Sequence, residues 1–518
     1  MIVSRLAVVT LIAGCLAGMA LASAEKSESG PPRVAQLIAQ LGDKDYAVRE
    51  HAQDQLAQMG LDIYDALVEA SANDDLEIAS RARYLLRLLR SQWTSPSDPA
   101  EVQDLLRGYD VQPVAARLQR IRALGDQPKA AGVTPLCRLV RFEKSPQLST
   151  WAALEVLDHL PAEASQRLKY LRTVREGIAG SRRSSAMWLL AYAKIENESK
   201  TALDEWTRLT EAEVNAVQRN PDRNHAALAA ALLYHLAEAQ LRSGQGEAAE
   251  RTAERALGLN PGNDLVSQSA HLQVAIATQK RGQFAWAEAE YRRVVKSGGN
   301  YSVVALKALA EMFHDRGNNQ AAAETLRTAV DVIGPKRGGQ DDFPGRRRND
   351  LVGRMNYFFA CAAKEKGDAA AELKYIEESL RVDPDELDSL IAYYRLSEKS
   401  PDLRRKAQAR IEQAASRLRE QMNETPGDPS ACNQFAWLIG NTGGDLDEAL
   451  RCSKLSLEGD ANNGAYLDTL AHIHFARGEL DEAIEIQTRA LEAEPHSGLL
   501  ARELARFRAA RDQKAAKR

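Results

Sequence analysis

Small and helix-breaking residues recur at fixed offsets in the C-terminal half of the chain: Ala471, Gly478, Ala483, Ala490 and Pro495. The same offsets return upstream as Ala237, Gly244, Ala249, Ala256 and Pro261. Two units this alike, with weaker copies between them, require a stack of helical repeats, because a single unit cannot bury its own apolar face. A stack offers a surface for holding something rather than a pocket for doing chemistry. Ala, Leu, Glu and Arg dominate the composition, aromatics make up only 6%, and runs of alternating β-branched residues are absent. That mixture favours helix throughout. At 518 residues the chain exceeds one core, so two or more domains are expected.

From Arg223 onward a helix pair fits in about 34 residues. Ala471 and Ala483 let two helices approach, since bulk there would hold their axes apart. Gly478 serves the turn and Pro495 starts the next connection. Turn glycines are read at Gly244, Gly282, Gly317, Gly367, Gly444 and Gly478, with second-helix small residues at Ala249, Ala287, Ala322, Ala449 and Ala483. The unit at Gly367 departs, with Glu372 in place of Ala, and a degenerate pair fills residues 387–424. This spacing resembles the tetratricopeptide repeat family over 223–510. The family's aromatic positions are poorly kept, with Thr278 and His474 at one of them. Extra residues between Gly317 and Gly367 form a loop near Gly334 to Asn349. Residues 511–518 read as a basic tail.

The N-terminal half carries a different pairing. Asp45, Val48, Arg49, Ala52 and Leu56 return as Asp75, Ile78, Ala79, Ala82 and Leu86. Their spacing places the apolar groups on one helix face, with an Asp ahead of each run as cap. Residues 33–200 resemble HEAT-type repeats, interrupted at 92–100, where Pro96 and Pro99 forbid continuous helix. Residues 201–222 are read as transition helices and 25–32 as a linker. Together the resemblances imply an all-α fold, a right-handed α-solenoid of antiparallel helix pairs like those of bacterial envelope repeat proteins.

Residues 1–24 form a separate object: a short basic start, an apolar run from Leu6, and the ending Ala22-Ser23-Ala24. This reads as a secretory signal whose removal costs Arg5 and no acid. Two readings compete. Ile12-Ala13-Gly14-Cys15 resembles a lipoprotein box that would lipidate Cys15, although the apolar run continues past it. The run is also long enough to stay as an anchor. All three place the mature chain outside the cytosol, in the periplasm or cell envelope.

A search for chemistry leaves no catalytic, cofactor or metal constellation. His472 and His474, two apart on a helix, point about 200° apart and do not share a metal readily. Asp43 and Asp45 read as caps rather than a calcium loop. The cysteines beyond the signal, Cys137, Cys361, Cys432 and Cys452, match no zinc spacing. Cys432 and Cys452 fall on two helices of one repeat, and buried single thiols are favoured over a bridge. A net charge of −4 marks no general nucleic-acid binder. Arg346, Arg347 and Arg348 form a short basic cluster, a candidate anion contact set against the plainer reading of a solvated loop.

The family resemblance implies that first helices of successive pairs line a concave groove. On that register the exposed groove positions are Tyr234, Glu238, Lys307, Glu311, Arg354, Tyr357, Lys364, Asp468 and His472. Their mixed signs suit a protein or peptide segment carrying both charges, with membrane contact only through an N-terminal anchor. Phe284, Tyr291, Trp151, Trp188 and Trp286 read as packing. The expectation is a non-catalytic exported scaffold or adaptor. The alternatives are an envelope hydrolase or its regulatory subunit, and a lipid-anchored outer-membrane assembly factor. Mass spectrometry of the mature N-terminus separates the anchors: a start at Glu25 is expected, and an acylated Cys15 would replace the signal-peptide reading.

Overall fold

The computed structural model describes residues 31–88, 93–127, 130–161, 163–195, 199–219, 223–259, 265–334 and 348–516. Residues 1–30, with Cys15 and the expected signal, lie outside them. Among the described residues the regular structure is helical, and no helix is long and apolar enough to cross a membrane. The contacts divide the chain into two units. The first comprises 1–125, 130–156 and 168–193; the second comprises 126–129, 157–167 and 194–518.

Unit 1 begins with α1 (Pro31–Gln40), α2 (Tyr46–Gln58), α3 (Tyr64–Ala70), α4 (Leu76–Leu88), α5 (Ala100–Leu106), α6 (Val114–Gly125) and α7 (Val133–Phe142). Helices α8 (Pro146–Asp158), α9 (Ala164–Gly177) and α10 (Ser184–Ile195) have residues in both units. The repeated Asp residues act alike. Asp45 accepts from the Ala47 amide at 2.8 Å and Asp75 from the Glu77 amide at 2.8 Å, each satisfying an orphan donor of the first turn. Ala52, Leu56, Ala79, Ala82 and Leu85 are buried behind these caps. Residues 93–99 are irregular, as their prolines dictate, yet Trp93 is buried edge-on to Tyr109 at 5.3 Å. Asp98 ties the segment down by accepting from the Ser95 amide and from Arg138.

Unit 2 stacks α11 (Ser199–Arg219), α12 (Arg223–Arg242), α13 (Gly246–Gly258), α14 (Leu265–Lys280), α15 (Phe284–Lys296), α16 (Asn300–Asp315) and α17 (Asn319–Ile333). It continues through α18 (Arg348–Glu365), α19 (Ala369–Val382), α20 (Leu387–Leu396), α21 (Pro401–Glu424) and α22 (Pro429–Thr442). The last helices are α23 (Leu446–Gly459), α24 (Gly464–Ala476), α25 (Leu480–Ala493) and α26 (Gly498–Ala516). The degenerate pair expected in 387–424 is α20 with α21, where Ser400 caps and Pro401 opens the second helix. Residues 511–516, expected as a tail, extend α26; Lys514 donates to the Gly478 carbonyl at 3.3 Å.

Five turns share one hydrogen-bond pattern. The residues after Gly244, Gly282, Gly317, Gly367 and Gly478 donate back to the carbonyls of Gln240, Thr278, Phe313, Ala363 and His474. This closing bond needs a left-handed residue in between, and all five glycines have φ between 72° and 81°. The α22–α23 turn holds three residues like the others but uses Gly443 and Gly444, both with positive φ, in place of the single glycine. Ala249, Ala287, Ala322, Ala449 and Ala483 are all completely buried. Glu372, at the corresponding place on α19, is half-buried, and burial pushes its carboxyl up. Among the packing residues expected from sequence, Trp188, Trp286 and Tyr291 are buried, while Trp151 and Phe284 are half-buried.

The array returns on itself. Asp315, the last residue of α16, meets the start of α26, 182 residues later. Its carboxylate accepts from the Ser497 hydroxyl at 2.7 Å and from the amides of Gly498 and Leu499, both at 3.0 Å. Its carbonyl accepts from Arg502 at 2.9 Å. Two glycines make room. A Cβ on Gly498 would lie 2.5 Å from the Asp315 carbonyl oxygen, and one on Gly282 would lie 2.7 Å from the His496 ring.

The helix spacing generates a stability prediction. Ala471, Ala483 and Phe507 share one buried cluster. Ala483→Leu forces added methylenes against that cluster and is expected to cost about 1–3 kcal/mol in urea unfolding. Ala461→Leu, in an exposed turn, is expected to stay within about 0.5 kcal/mol. Equal midpoints for the two variants would show that close helix approach is not limited by Ala483.

Candidate functional site

The inner face of unit 2 is built from the first helices of successive pairs. From α16 onward, polar contacts run from each to the next. Arg354 of α18 holds Glu311 of α16 in a two-pronged pair at 3.0 and 2.9 Å. The same guanidinium reaches Glu386 at 3.1 Å and Asp388 at 2.5 Å, at the start of α20. Trp437 of α22 donates to Asp388 at 2.9 Å. Arg395 of α20 donates to Asn441 of α22 at 2.8 Å, and the His472 ring of α24 lies 3.0 Å from the same oxygen. His472 also lies 3.3 Å from Glu503 of α26. The Asp315 contact then joins α26 back to α16, so the belt is closed.

Two acids stand together at the α20 N-terminus because that position rewards them. Glu386 is the N-cap, accepting from the Ser389 amide at 2.6 Å, and Asp388 lies in the first turn, where the helix dipole favours negative charge. Burial works against the Arg354 charge, but Glu311, Asp388 and Glu386 outweigh it and hold the guanidinium charged. Asp388 is pushed up by burial and pulled further down by Arg354 and Trp437, so it stays ionised. Glu386 is raised to about 7, because burial and Asp388 together outweigh its share of Arg354. Asp468, half-buried, also lies above its ordinary value, because its loss of solvent outweighs the pull of His472, Gln487 and Arg506. His314 stacks on Phe358 at 4.6 Å and is held below its usual value by burial and by Arg354. On the same helix as Tyr357, which hydrogen-bonds with it, the half-buried Cys361 thiol is pushed up to about 11 by burial.

The groove positions expected to be exposed do not behave alike. Glu311, Arg354 and Tyr357 come together, with Arg354 over the Tyr357 ring at 5.0 Å; Asp468 and His472 lie 3.9 Å apart. Lys307 and Lys364 are exposed. Tyr234, Glu238 and His472 are buried, which corrects the expected exposure. Tyr234 donates to the fully buried Glu290 at 2.7 Å, and Glu290 also contacts His271 at 2.8 Å. Glu238 accepts from Arg281 at 2.7 Å, and Arg281 also pairs with Asp158. Tyr234 is taken up by α15, and Glu238 by the turn that follows α14. Sequence reasoning missed Trp437, Asp388 and Glu386; a carboxylate at the first turn of a short helix was the available signal.

Arg346 and Arg347 lie outside the described residues, and Arg348 is the half-buried first residue of α18. The four described cysteines are free thiols. Among the described residues no group of three His, Cys, Asp or Glu is placed to hold a metal ion.

The raised Glu386 carboxyl links the belt to pH. The folded chain holds this proton more tightly than the unfolded chain between the ordinary 4.5 and about 7. Stability from Glu386 is therefore complete below 4.5 and is lost as pH rises through about 7. Asp388 runs the other way: its contribution is present above 3.8 and is lost only as pH falls through a lower folded value. Glu386→Gln keeps a capping oxygen. It is expected to remove a decline of roughly 1–3 kcal/mol between pH 5 and 8, followed by urea unfolding. Parallel profiles for wild type and variant would rule out this linkage.

Residues 465–497, spanning α24, α25 and the turn beyond, match the tetratricopeptide repeat family model. No curated protein matches the sequence. Among solved structures, a thermophilic tetratricopeptide protein of Thermus thermophilus is 20% identical, with a TM-score of 0.27 over 40% of this chain and 98% of its own. A tetratricopeptide repeat protein of Parabacteroides merdae is 12% identical, with a TM-score of 0.30 over 53% of this chain and 96% of its own. Yeast Tom70 is 12% identical, with a TM-score of 0.31 over 89% of this chain and 97% of its own. The chain's own helix pairs and the repeat match carry the fold: an all-α solenoid with a tetratricopeptide-like pair at α24–α25.

Proposed function

We propose that the chain is an exported, non-catalytic scaffold or adaptor whose inner belt receives an extended segment of a partner protein. One observation carries this reading. Arg354 and Tyr357 on α18 and Trp437 on α22 stand half-buried on first helices along one face, with charges of both signs beside them. Large planar side chains of this kind anchor partners because they bury much area at small entropic cost. A stacked array holds them at fixed spacing, so a partner strand bears the ordering cost almost alone. The tetratricopeptide-like character of 223–510 and the HEAT-like character of 33–200 belong to the same proposal. So does export to the periplasm or envelope, which rests on the sequence of residues 1–24.

The test uses the two groove cations that stand exposed. The chain 25–518 is used for affinity capture from an envelope extract beside its Lys307→Glu/Lys364→Glu variant. The variant is expected to lose a partner retained by the wild type, with helical circular dichroism and unfolding midpoint unchanged. Arg354 is left in place, because removing it would strand three carboxylates and unsettle the fold. Equal capture by both proteins would remove the belt from the reading.

A further inference from the structure

Asp315 has a role that the repeat pattern does not require. It ends α16, far in sequence from the residues it binds, and its carboxylate serves as an acceptor for the first turn of α26. Ser497 closes the motif from its own side by accepting from the Leu500 amide at 3.3 Å. The flanking residues are shaped to admit this contact: Gly498 and Gly282 each leave space that a Cβ would fill. Four hydrogen bonds and two glycine clearances therefore converge on one junction.

The junction differs from every other in the belt. Elsewhere, neighbouring repeats share hydrophobic clusters: α16, α17 and α18 join around Leu306, Leu326 and Phe358, and α24, α25 and α26 around Ala471, Ala483 and Phe507. The clusters on the α16 side and on the α26 side have no residue in common among the described residues. Polar contacts are what close the ring there, and Leu499 beside them is exposed. Hydrogen bonds at such a place exchange with water at small net gain, so this junction opens before any apolar one.

We propose that Asp315 is a clasp: it holds the array shut, and its release uncovers the inner belt to an extended protein segment. While the clasp is closed, α26 covers His472 of the belt, whose ring is buried edge-on to Phe507 at 5.3 Å and 3.3 Å from Glu503. The gating half of this inference rests on the groove reading above; the clasp itself does not.

Cys361 provides a native probe, because it lies on α18 beside Tyr357 on the inner face. Cys452, on the second helix α23 and also half-buried, is the internal reference. The full chain is treated with a maleimide, and modification is followed at each cysteine by peptide mass spectrometry. Asp315→Ala is expected to speed modification at Cys361 by about tenfold relative to Cys452. Ser497→Ala/Arg502→Ala, which weakens the clasp from the other side and leaves α16 untouched, is expected to shift the ratio in the same direction. An unchanged ratio in both variants overturns the clasp, as does equal acceleration at both cysteines, which reports general unfolding. If Cys361 opens while charge reversal at Lys307 and Lys364 leaves capture unaltered, the clasp stands and the groove reading falls.

Discussion

Two helices lie close together only where neither presents bulk, and the second unit depends on that constraint at five of its pairs. Ala249, Ala287, Ala322, Ala449 and Ala483 have no exposed surface at all. The turns joining the helices are equally constrained, since five of them need a left-handed glycine to return the closing hydrogen bond. Fixed approach and fixed turn make each pair nearly the same rigid step. Repeating one step accumulates curvature, and here it brings α26 to the end of α16. The belt of polar residues is a consequence of that curvature, because it crowds the first helices along the inner face.

Crowding sets the electrostatics. Charges on an open concave surface would stay solvated and independent. Here Glu311, Glu386 and Asp388 converge on one guanidinium. One cation cannot satisfy three anions equally, so the cluster resolves by unequal titration: Asp388 stays low and Glu386 rises. Removing Arg354 would be costly for the same reason, since buried charges left without a partner are worse than none. The cluster thus fixes the spacing of α16, α18 and α20 while leaving a proton on the belt that neutral pH can remove.

The local parts of this design were legible in the sequence. Glycines, capping acids and alanines act within a few residues of themselves, so their spacing identifies the turns, the helix pairs and even the degenerate pair at α20 and α21. The inner face was legible as a register but not as a surface. Whether Tyr234 is a groove residue or a buried one is decided by Glu290, 56 positions away. Glu238 depends on Arg281 in the same manner, 43 positions away. Asp315 is the extreme case: at the end of a helix it has no local task, and its partners come 182 residues later. Periodicity reports what a residue does within its own repeat, and closure is a property of the number of repeats.

The closed belt also bears on how a solenoid of this kind discriminates. An open groove accepts any segment that fits its pockets, and selection rests on contacts alone. A belt whose charges are already paired internally asks a partner to replace those pairs, not merely to add to them. A segment lacking a cation to take over from Arg354, or an anion to take over from Asp388, leaves a charge stranded in a poorly solvated place. That penalty exceeds the gain from ordinary surface contacts. On the proposed groove reading, internal pairing of Arg354 with Glu311, Glu386 and Asp388 would act as a filter on a partner's charge pattern, and the proposed clasp at Asp315 would set when that filter is presented.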